Sequence, residues 1–407
     1  MINLEWRRWF GNRSHPPTRV AVDLFRLESG GQNGGIKPFV FDFLKWMANE
    51  RASKFVFLYL TRTSLVREVE AFRRDQDWQV CVGESEGCPP PSTDGRPGLV
   101  WAPDAMAGDW LGRWPADLLY APLGLSPFRR PGLPWICLIA DVLHRDRPEM
   151  LSANENAYRD RWMAEGLAGA DAVQCISKFT RRQLIRHFGA RPSRLFVTHY
   201  AIPDSRAPGS GTIMSGSPAE RPYFFYPAND WPHKNHDALF EGYAAYRNRA
   251  GAGAWDLVLS GHCTRAEAWK ERMASLGIAE SCRMLGHIGP GEFSEVFRGA
   301  GALVFPSLYE GFGMPILEAM AWGVPIACSR AGSLPEVAGR AARYFDPEQP
   351  EAIARALGDI AGDKRLRRVL VAAGLRRARS FSMAREAGRL AGHFAALRGA
   401  RARGRGQ

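Results

Sequence analysis

No run of apolar residues in this chain approaches the roughly 20 that a membrane-crossing helix needs. Met1 to Arg13 has none of the continuous apolar core of a secretory leader; Trp6, Trp9 and Phe10 stand among Arg7, Arg8 and Arg13. Cysteine is sparse and scattered: there are seven, an odd number, and none sits in a C-x-x-C pair. That argues against a disulfide frame or a zinc site and for reduced thiols in a cytoplasmic setting. No nucleic-acid-binding motif is present, so nucleic acid ranks last among partners. Acids are outnumbered, 42 against 54 Lys and Arg, and the net charge of +12 points to an anionic partner, either a membrane surface or an anionic substrate.

With 407 residues, 45% hydrophobic and 24% charged, the chain exceeds one ordinary core and suits two domains. Pro203 to Pro222 is rich in Pro, Gly and Ser without hydrophobic period, as a linker is. The expected organisation is a first domain over 1–205 with a basic, aromatic extension over 1–18, a linker over 206–222 and a second domain over 223–380. A final helix over 381–397 and a basic, disordered tail over 398–407 complete it. Arg398, Arg401, Arg403 and Arg405 make that tail either a solubilising terminus or an anionic-lipid contact.

The most informative stretch is Ala302 to Ser329. Ala302 to Phe305 is a short apolar run suited to a buried strand. Pro306 to Gly313 is a loop with two glycines around Phe312. Pro315 stands near a helix start, where its missing N–H is no loss. The helix is expected over Ile316 to Trp322, stopped by Gly323, and Val324 to Cys328 reads as the next strand. Free N–H groups and the positive end of a helix dipole make such a loop an anion site. Glu310 and Glu318 do not favour phosphate, but carboxylates accept hydrogen bonds from hydroxyls, which sugars supply. Together these point to a nucleotide sugar; the plain alternative is a βαβ crossover with two surface glutamates.

Glu310 and Glu318, separated by seven residues enclosing Gly-Phe-Gly-Met-Pro-Ile-Leu, resemble the paired-glutamate motif of family 4 glycosyltransferases (glycosyl transferases group 1). The resemblance runs from about Arg19 to about Phe394. It implies an α/β chain of GT-B fold, two doubly wound parallel-sheet domains facing a cleft, and a retaining enzyme. In that family Glu310 orients sugar hydroxyls, Glu318 accepts from the ribose, and the backbone of Gly311, Phe312, Gly313 and Met314 borders sugar and phosphates. Gly286, His287 and Ile288 border the base.

A second glycine loop, Gly30-Gly-Gln-Asn-Gly-Gly-Ile-Lys37, follows a strand over Arg19 to Leu24. The resemblance gives Gly34, Gly35 and Lys37 to the donor diphosphate, although Lys37 also reads as a solvated lysine. Pro227 to His236 leads into a helix over Asp237 to Arg249. A lysine at that helix start repels the dipole, so Lys234 suits a bound diphosphate. The family carries an arginine and then a lysine here; Lys234 matches the lysine, and Ala228 and Asn229 stand where the arginine is missing. Asn229 and His233 join the donor set.

Strand ends line the cleft in open α/β sheets, which places Tyr120, Asp141 and His144 near substrate. Family members often have histidine at the positions of Tyr120 and Ala140; neither is present, and His144 is the substitute. The expected catalytic set is Lys234, Glu310, Asp141 and His144. Asp75-Gln-Asp77 spells the metal-binding D-x-D of a different glycosyltransferase fold, but no strand leads into it and it reads as a solvated loop. Ser177 reads as a helix cap. No metal and no cofactor are expected, the nucleotide sugar being a substrate.

Resemblance to bacterial polysaccharide and O-antigen mannosyltransferases makes GDP-mannose the first donor and a glycan or lipid-linked glycan the acceptor. Peripheral contact with an anionic membrane at its cytoplasmic face is the expected location. The alternatives are a GT-B nucleotide-sugar epimerase and a catalytically weak carbohydrate-binding protein.

Overall fold

Phe55-Val-Phe-Leu-Tyr-Leu-Thr61 is buried at every position. A strand covered on both faces loses the polar alternation of a half-exposed one, and only parallel sheets flanked by helices bury strands this way. The computed structural model describes residues 16–28, 35–50, 54–82, 99–102, 116–202 and 221–404. Gly34, the Met1 to Arg13 extension, the linker residues 203–220 and the proline-rich stretch from Cys88 to Gly98 lie outside these.

Among the described residues the first sheet holds β1 (Thr18–Asp23), β2 (Phe55–Thr61), β3 (Trp78–Val82), β4 (Leu99–Ala102), β5 (Leu118–Ala121), β6 (Trp135–Ile139), β7 (Ala172–Cys175) and β8 (Leu195–Val197). The second holds β9 (Tyr223–Pro227), β10 (Asp256–Ser260), β11 (Cys282–Met284), β12 (Ala302–Phe305), β13 (Ile326–Ser329) and β14 (Ala342–Phe345). The orders are β4-β3-β2-β1-β5-β6-β7-β8 and β11-β10-β9-β12-β13-β14. All pairings in both are parallel; Val20 faces Phe57 on one side and Leu118 on the other. Each sheet reverses its winding once, between β1 and β5 and between β9 and β12. Ligands bind at such reversals, beyond the carboxyl ends of the strands. The architecture is the GT-B arrangement of two α/β domains.

β3 and β4 were not anticipated from the residues; both are short, and β4 is the edge strand of the sheet. Asp77 corrects the reading of a solvated loop. It is fully buried, accepts from Phe57 N at 2.9 Å and pairs with Arg74 at 2.7 Å, so it braces the start of β2.

The last helix, Met383–Gly404, lies on the first sheet although it follows the second. Phe394 is fully buried, edge-on to Phe55 and Tyr120 at 5.9 and 5.5 Å. The disordered tail expected over 398–407 is corrected in part: the helix continues to Gly404, and Arg398 donates to Pro16 O at 2.6 Å and to Thr18 Oγ1 at 3.2 Å. Helix-favouring Ala and Arg sustain it. One apolar cluster runs from Val20 and Phe57 through Phe312 and Phe381 to Phe225 and Leu303, so the domains share a core at the junction.

Candidate functional site

β9 and β12 are neighbours, so the loops that leave them meet. Asn235 stitches these loops. It is the only non-glycine residue with positive φ (61°) among those described, a conformation asparagine tolerates better than most residues. Its Nδ2 donates to Pro306 O at 3.1 Å and to Pro347 O at 2.8 Å. Leu308 N donates to His233 O at 2.7 Å. The result brings Lys234 Nζ to 2.6 Å from Glu310 Oε1, with about one-tenth of each side chain exposed (13% and 11%). An ammonium and a carboxylate from sites 76 residues apart thus meet where the loops leaving β9 and β12 converge.

Helix Met314–Trp322 starts beside them. Its first residue follows Gly313, whose φ of +92° turns the chain into the helix, and a Cβ there would lie 2.4 Å from Leu334 Cδ2. No side chain caps this end; Pro315 has no N–H and Ile316 N donates to Gly313 O at 3.0 Å, so of the first three helical residues Met314 is the one whose N–H is left for an anion. Glu318 is half-buried on the second turn.

The first domain supplies the facing wall. A Cβ on Gly35 would meet Met314 Sδ at 2.6 Å, and one on Gly311 would meet Ala140 O at 2.4 Å and Asp141 Cβ at 3.1 Å. Val142 N donates to Tyr309 Oη at 3.2 Å. Asp141 Oδ1 accepts from Leu143 N at 3.0 Å and from Arg159 at 3.3 Å, which fixes its carboxylate next to Gly311. Of the expected residues, Gly35, Asp141, His233, Lys234, Glu310, Gly311, Phe312, Gly313 and Met314 therefore gather in one region. The Phe312 side chain points into the domain junction, against His199, Tyr200 and Phe381.

Asn229 Oδ1 accepts from His262 N at 2.9 Å and shapes its loop. Gly286, His287 and Ile288 lie at the end of β11, on the sheet edge; Gly286 O accepts from Gly261 N at 2.8 Å. His233 is a neutral imidazole: burial, reinforced by the neighbouring Lys234 cation, brings its pKa down to about 4. It can take part in a hydrogen bond but adds no charge at neutral pH.

Three expectations are corrected. Lys37 is buried, with its ammonium 2.7 Å from Glu68 and 3.0 Å from Glu28 O, so it serves the interior of its own domain and not a phosphate. His144 is fully buried in the short helix Leu143–Asp146, 3.0 Å from Asp160 Oδ1 and with its ring 6.0 Å from Phe188. Burial pushes its pKa down, and it faces no cleft. Tyr120 is also interior, donating to Gln174 at 2.8 Å. Strand-end position alone did not tell which side of the loop each side chain takes. Ser177 does cap helix Lys178–Phe188, accepting from Thr180 N at 3.0 Å. Among the described residues no three His, Cys, Asp or Glu side chains converge as metal ligands.

Sequence reasoning missed the junction behind the site. Glu336 accepts from Lys178 N and Phe179 N, both at 2.8 Å, and so caps a first-domain helix from the second domain. His199 lies 2.8 Å from the same carboxylate, and its backbone N donates to Glu386 at 3.1 Å. Burial works against a charged His199, but the hydrogen bonds it donates to Glu336 and Glu386 override it and raise its pKa above 6.5. Burial likewise opposes the charge on both carboxylates, yet hydrogen bonds, those to His199 first, bring them below 4.5. A raised histidine contributes stability that is full below 6.5 and lost as pH rises through the folded value. A lowered carboxylate contributes above 4.5 and loses it as pH falls through its folded value. The clasp is therefore strongest between about pH 4.5 and 6.5. Thermal unfolding of wild type is expected to lose more Tm between pH 6.5 and 8.5 than that of His199→Gln; parallel curves would remove the His199 charge from the clasp.

The profile described as Glycosyltransferase Family 4 matches residues 33–206, and that of Glycosyl transferases group 1 matches residues 214–377. Among curated proteins, the O-antigen chain mannosyltransferase B of Escherichia coli is 31% identical over 245 residues, 58% of this chain and 63% of that protein. A D-inositol 3-phosphate glycosyltransferase of Streptomyces coelicolor is 28% identical over 300 residues, 67% of this chain and 62% of its own length. The chain thus spans less than two thirds of the length of these relatives. The crystal structure of Anabaena HepE in complex with UDP and glucose superposes with a TM-score of 0.68 at 14% identity, covering 93% of this chain and 100% of that one.

Proposed function

The chain belongs to the family 4 glycosyltransferases (glycosyl transferases group 1), and from that premise we propose that it moves mannose from GDP-mannose to a hydroxyl of a glycan or lipid-linked glycan, with retention at the anomeric carbon and without a metal. The carrying observation is the 2.6 Å contact of Lys234 with Glu310 beside an uncapped helix end. In the resting site each group neutralises the other. When donor enters, the ammonium turns to the diphosphate and the carboxylate to the sugar hydroxyls. Negative charge grows on the departing diphosphate, where Lys234 and the Met314 N–H at the positive end of the helix dipole stabilise it. Asp141, held by Arg159 on the facing wall, is the carboxylate on the acceptor side. Glu318 accepts from the ribose, and Gly286 to Ile288 border the base. The choice of mannose draws on the O-antigen relative. A lipid-linked acceptor draws on the net charge of +12.

A panel of nucleotide sugars tests this reading. The preferred donor stabilises the fold by about 2.7 kcal/mol when present at a hundredfold excess over Kd. GDP-mannose is expected to raise Tm most and to release GDP only when acceptor is present. Conversion of the sugar without acceptor would favour epimerisation, and binding of donor with no turnover under any acceptor would favour a carbohydrate-binding role.

A further inference from the structure

At the carboxyl ends of β13 and β14 the protein holds a cavity of about 590 Å³ that the donor site does not use. Arg330, Arg343 and Arg355 line it from the second domain, and Arg147 reaches in from the first. Leu308, two residues before Glu310, closes the side toward the donor loop. Tyr344 forms a wall, with the Arg330 guanidinium 4.6 Å from its ring centroid. Stacking of this kind presents the planar fork edge-on to a ligand, the geometry that grips a phosphoryl or carboxylate group through two parallel hydrogen bonds.

The charges in the cavity are not balanced. Arg147 is paired with Glu348 at 2.8 Å, across the two domains, and Arg343 with Asp359 at 2.7 Å. The other lining acid, Asp346, accepts from Glu348 N at 3.0 Å. Arg330 and Arg355 are exposed and make no ion pair among the described residues. The four lining guanidinium groups thus meet three carboxylates, Asp346, Glu348 and Asp359, a net charge of +1 (4 − 3), and Arg330 and Arg355 are engaged by none of them in a concave site.

Topology says which ligand reaches it. β11, leading to Gly286, and β14 are at opposite edges of the six-stranded sheet, with β12 and its Glu310 loop between them. The cavity adjoins the Glu310 loop at Leu308 and lies on the side of it away from the base segment. A donor stretched from Gly286 to Glu310 ends before it. A saccharide whose hydroxyl approaches the transferred sugar continues toward it.

We infer that this cavity binds an oxyanionic group, phosphoryl or carboxylate, carried by the acceptor at a distance from the hydroxyl that receives the sugar. The acceptor half of the inference rests on the proposed transfer reaction; the anion site does not. Two measurements separate them. With the donor site saturated by nucleoside diphosphate, inorganic phosphate is titrated while Tm is followed. Wild type is expected to gain stability, and the Arg330→Ala/Arg355→Ala variant to lose that gain; an equal gain in both overturns the anion site. Turnover is then compared for a neutral mannoside and its phosphorylated counterpart. The double variant is expected to raise KM for the phosphorylated acceptor about tenfold, equivalent to ~1.4 kcal/mol, with kcat and the neutral acceptor's KM unchanged. If the phosphate response is lost but the two KM values do not change, the site takes free phosphate and the acceptor assignment falls. No turnover with any acceptor would overturn the transfer reading and that assignment with it, while the phosphate titration still decides the anion site.

Discussion

Lys234→Ala is expected to lower kcat by roughly 100-fold to 1000-fold while changing the donor KM far less. That is the scale on which enzymes lose rate when one preorganised group facing transition-state charge is removed. The split follows from when the charge appears. The diphosphate gains negative charge as the glycosidic bond breaks, so an ammonium aimed at it is worth more in the transition state than in the bound donor. The variant also leaves the Glu310 carboxylate, 11% exposed, without its 2.6 Å partner. A stability loss of about 1–3 kcal/mol is therefore expected alongside. Circular dichroism and Tm separate this from global unfolding. Turnover within threefold of wild type, with the fold intact, would remove Lys234 from the chemistry and the proposed function with it.

Gly311→Val should cost nearly as much, by a different route. Gly311 is not a glycine for the sake of its backbone, since its φ lies outside the left-handed region. It is a glycine for the sake of space. A Cβ would stand 2.4 Å from Ala140 O, and that oxygen is pinned, accepting from Thr180 Oγ1 at 3.0 Å. The walls would have to part by about 1 Å, a misplacement that can cost about 100-fold in rate. Nucleotide affinity should remain within threefold, because apart from the Gly34–Gly35 loop the proposed nucleotide contacts lie on the second domain. Loss of nucleotide binding in calorimetry, with turnover falling in proportion, would mean that the substitution damaged the loop itself and that cleft closure is not what Gly311 provides.

The two positions differ in how far they could be read from the chain. Lys234 stood out because a cation at a helix start is locally unfavourable, and Glu310 because seven residues separate it from Glu318. Both signals are local. The role of Gly311 in the closed cleft depends on Ala140, 171 positions away (311 − 140), and no local pattern carries that distance. Lys37, His144 and Tyr120 failed for the same reason in reverse. Lys37 and His144 sit where helices begin and Tyr120 lies inside β5, and each turns inward because a partner waits there: Glu68, Asp160 and Gln174.

What the residues determined by themselves is the set of elements and the kind of site they build. Unbroken apolar runs make buried parallel strands, glycine before a helix leaves N–H groups open to an anion, and paired glutamates next to them suit a sugar. Tertiary structure alone decided which candidates share a cleft, how the domains are clasped through His199, Glu336 and Glu386, and where Arg147 joins the second-domain arginines. The physical reason is range. Propensity, capping and spacing act over a few residues, whereas an ion pair or a close backbone contact depends on two surfaces brought together by the whole chain's packing.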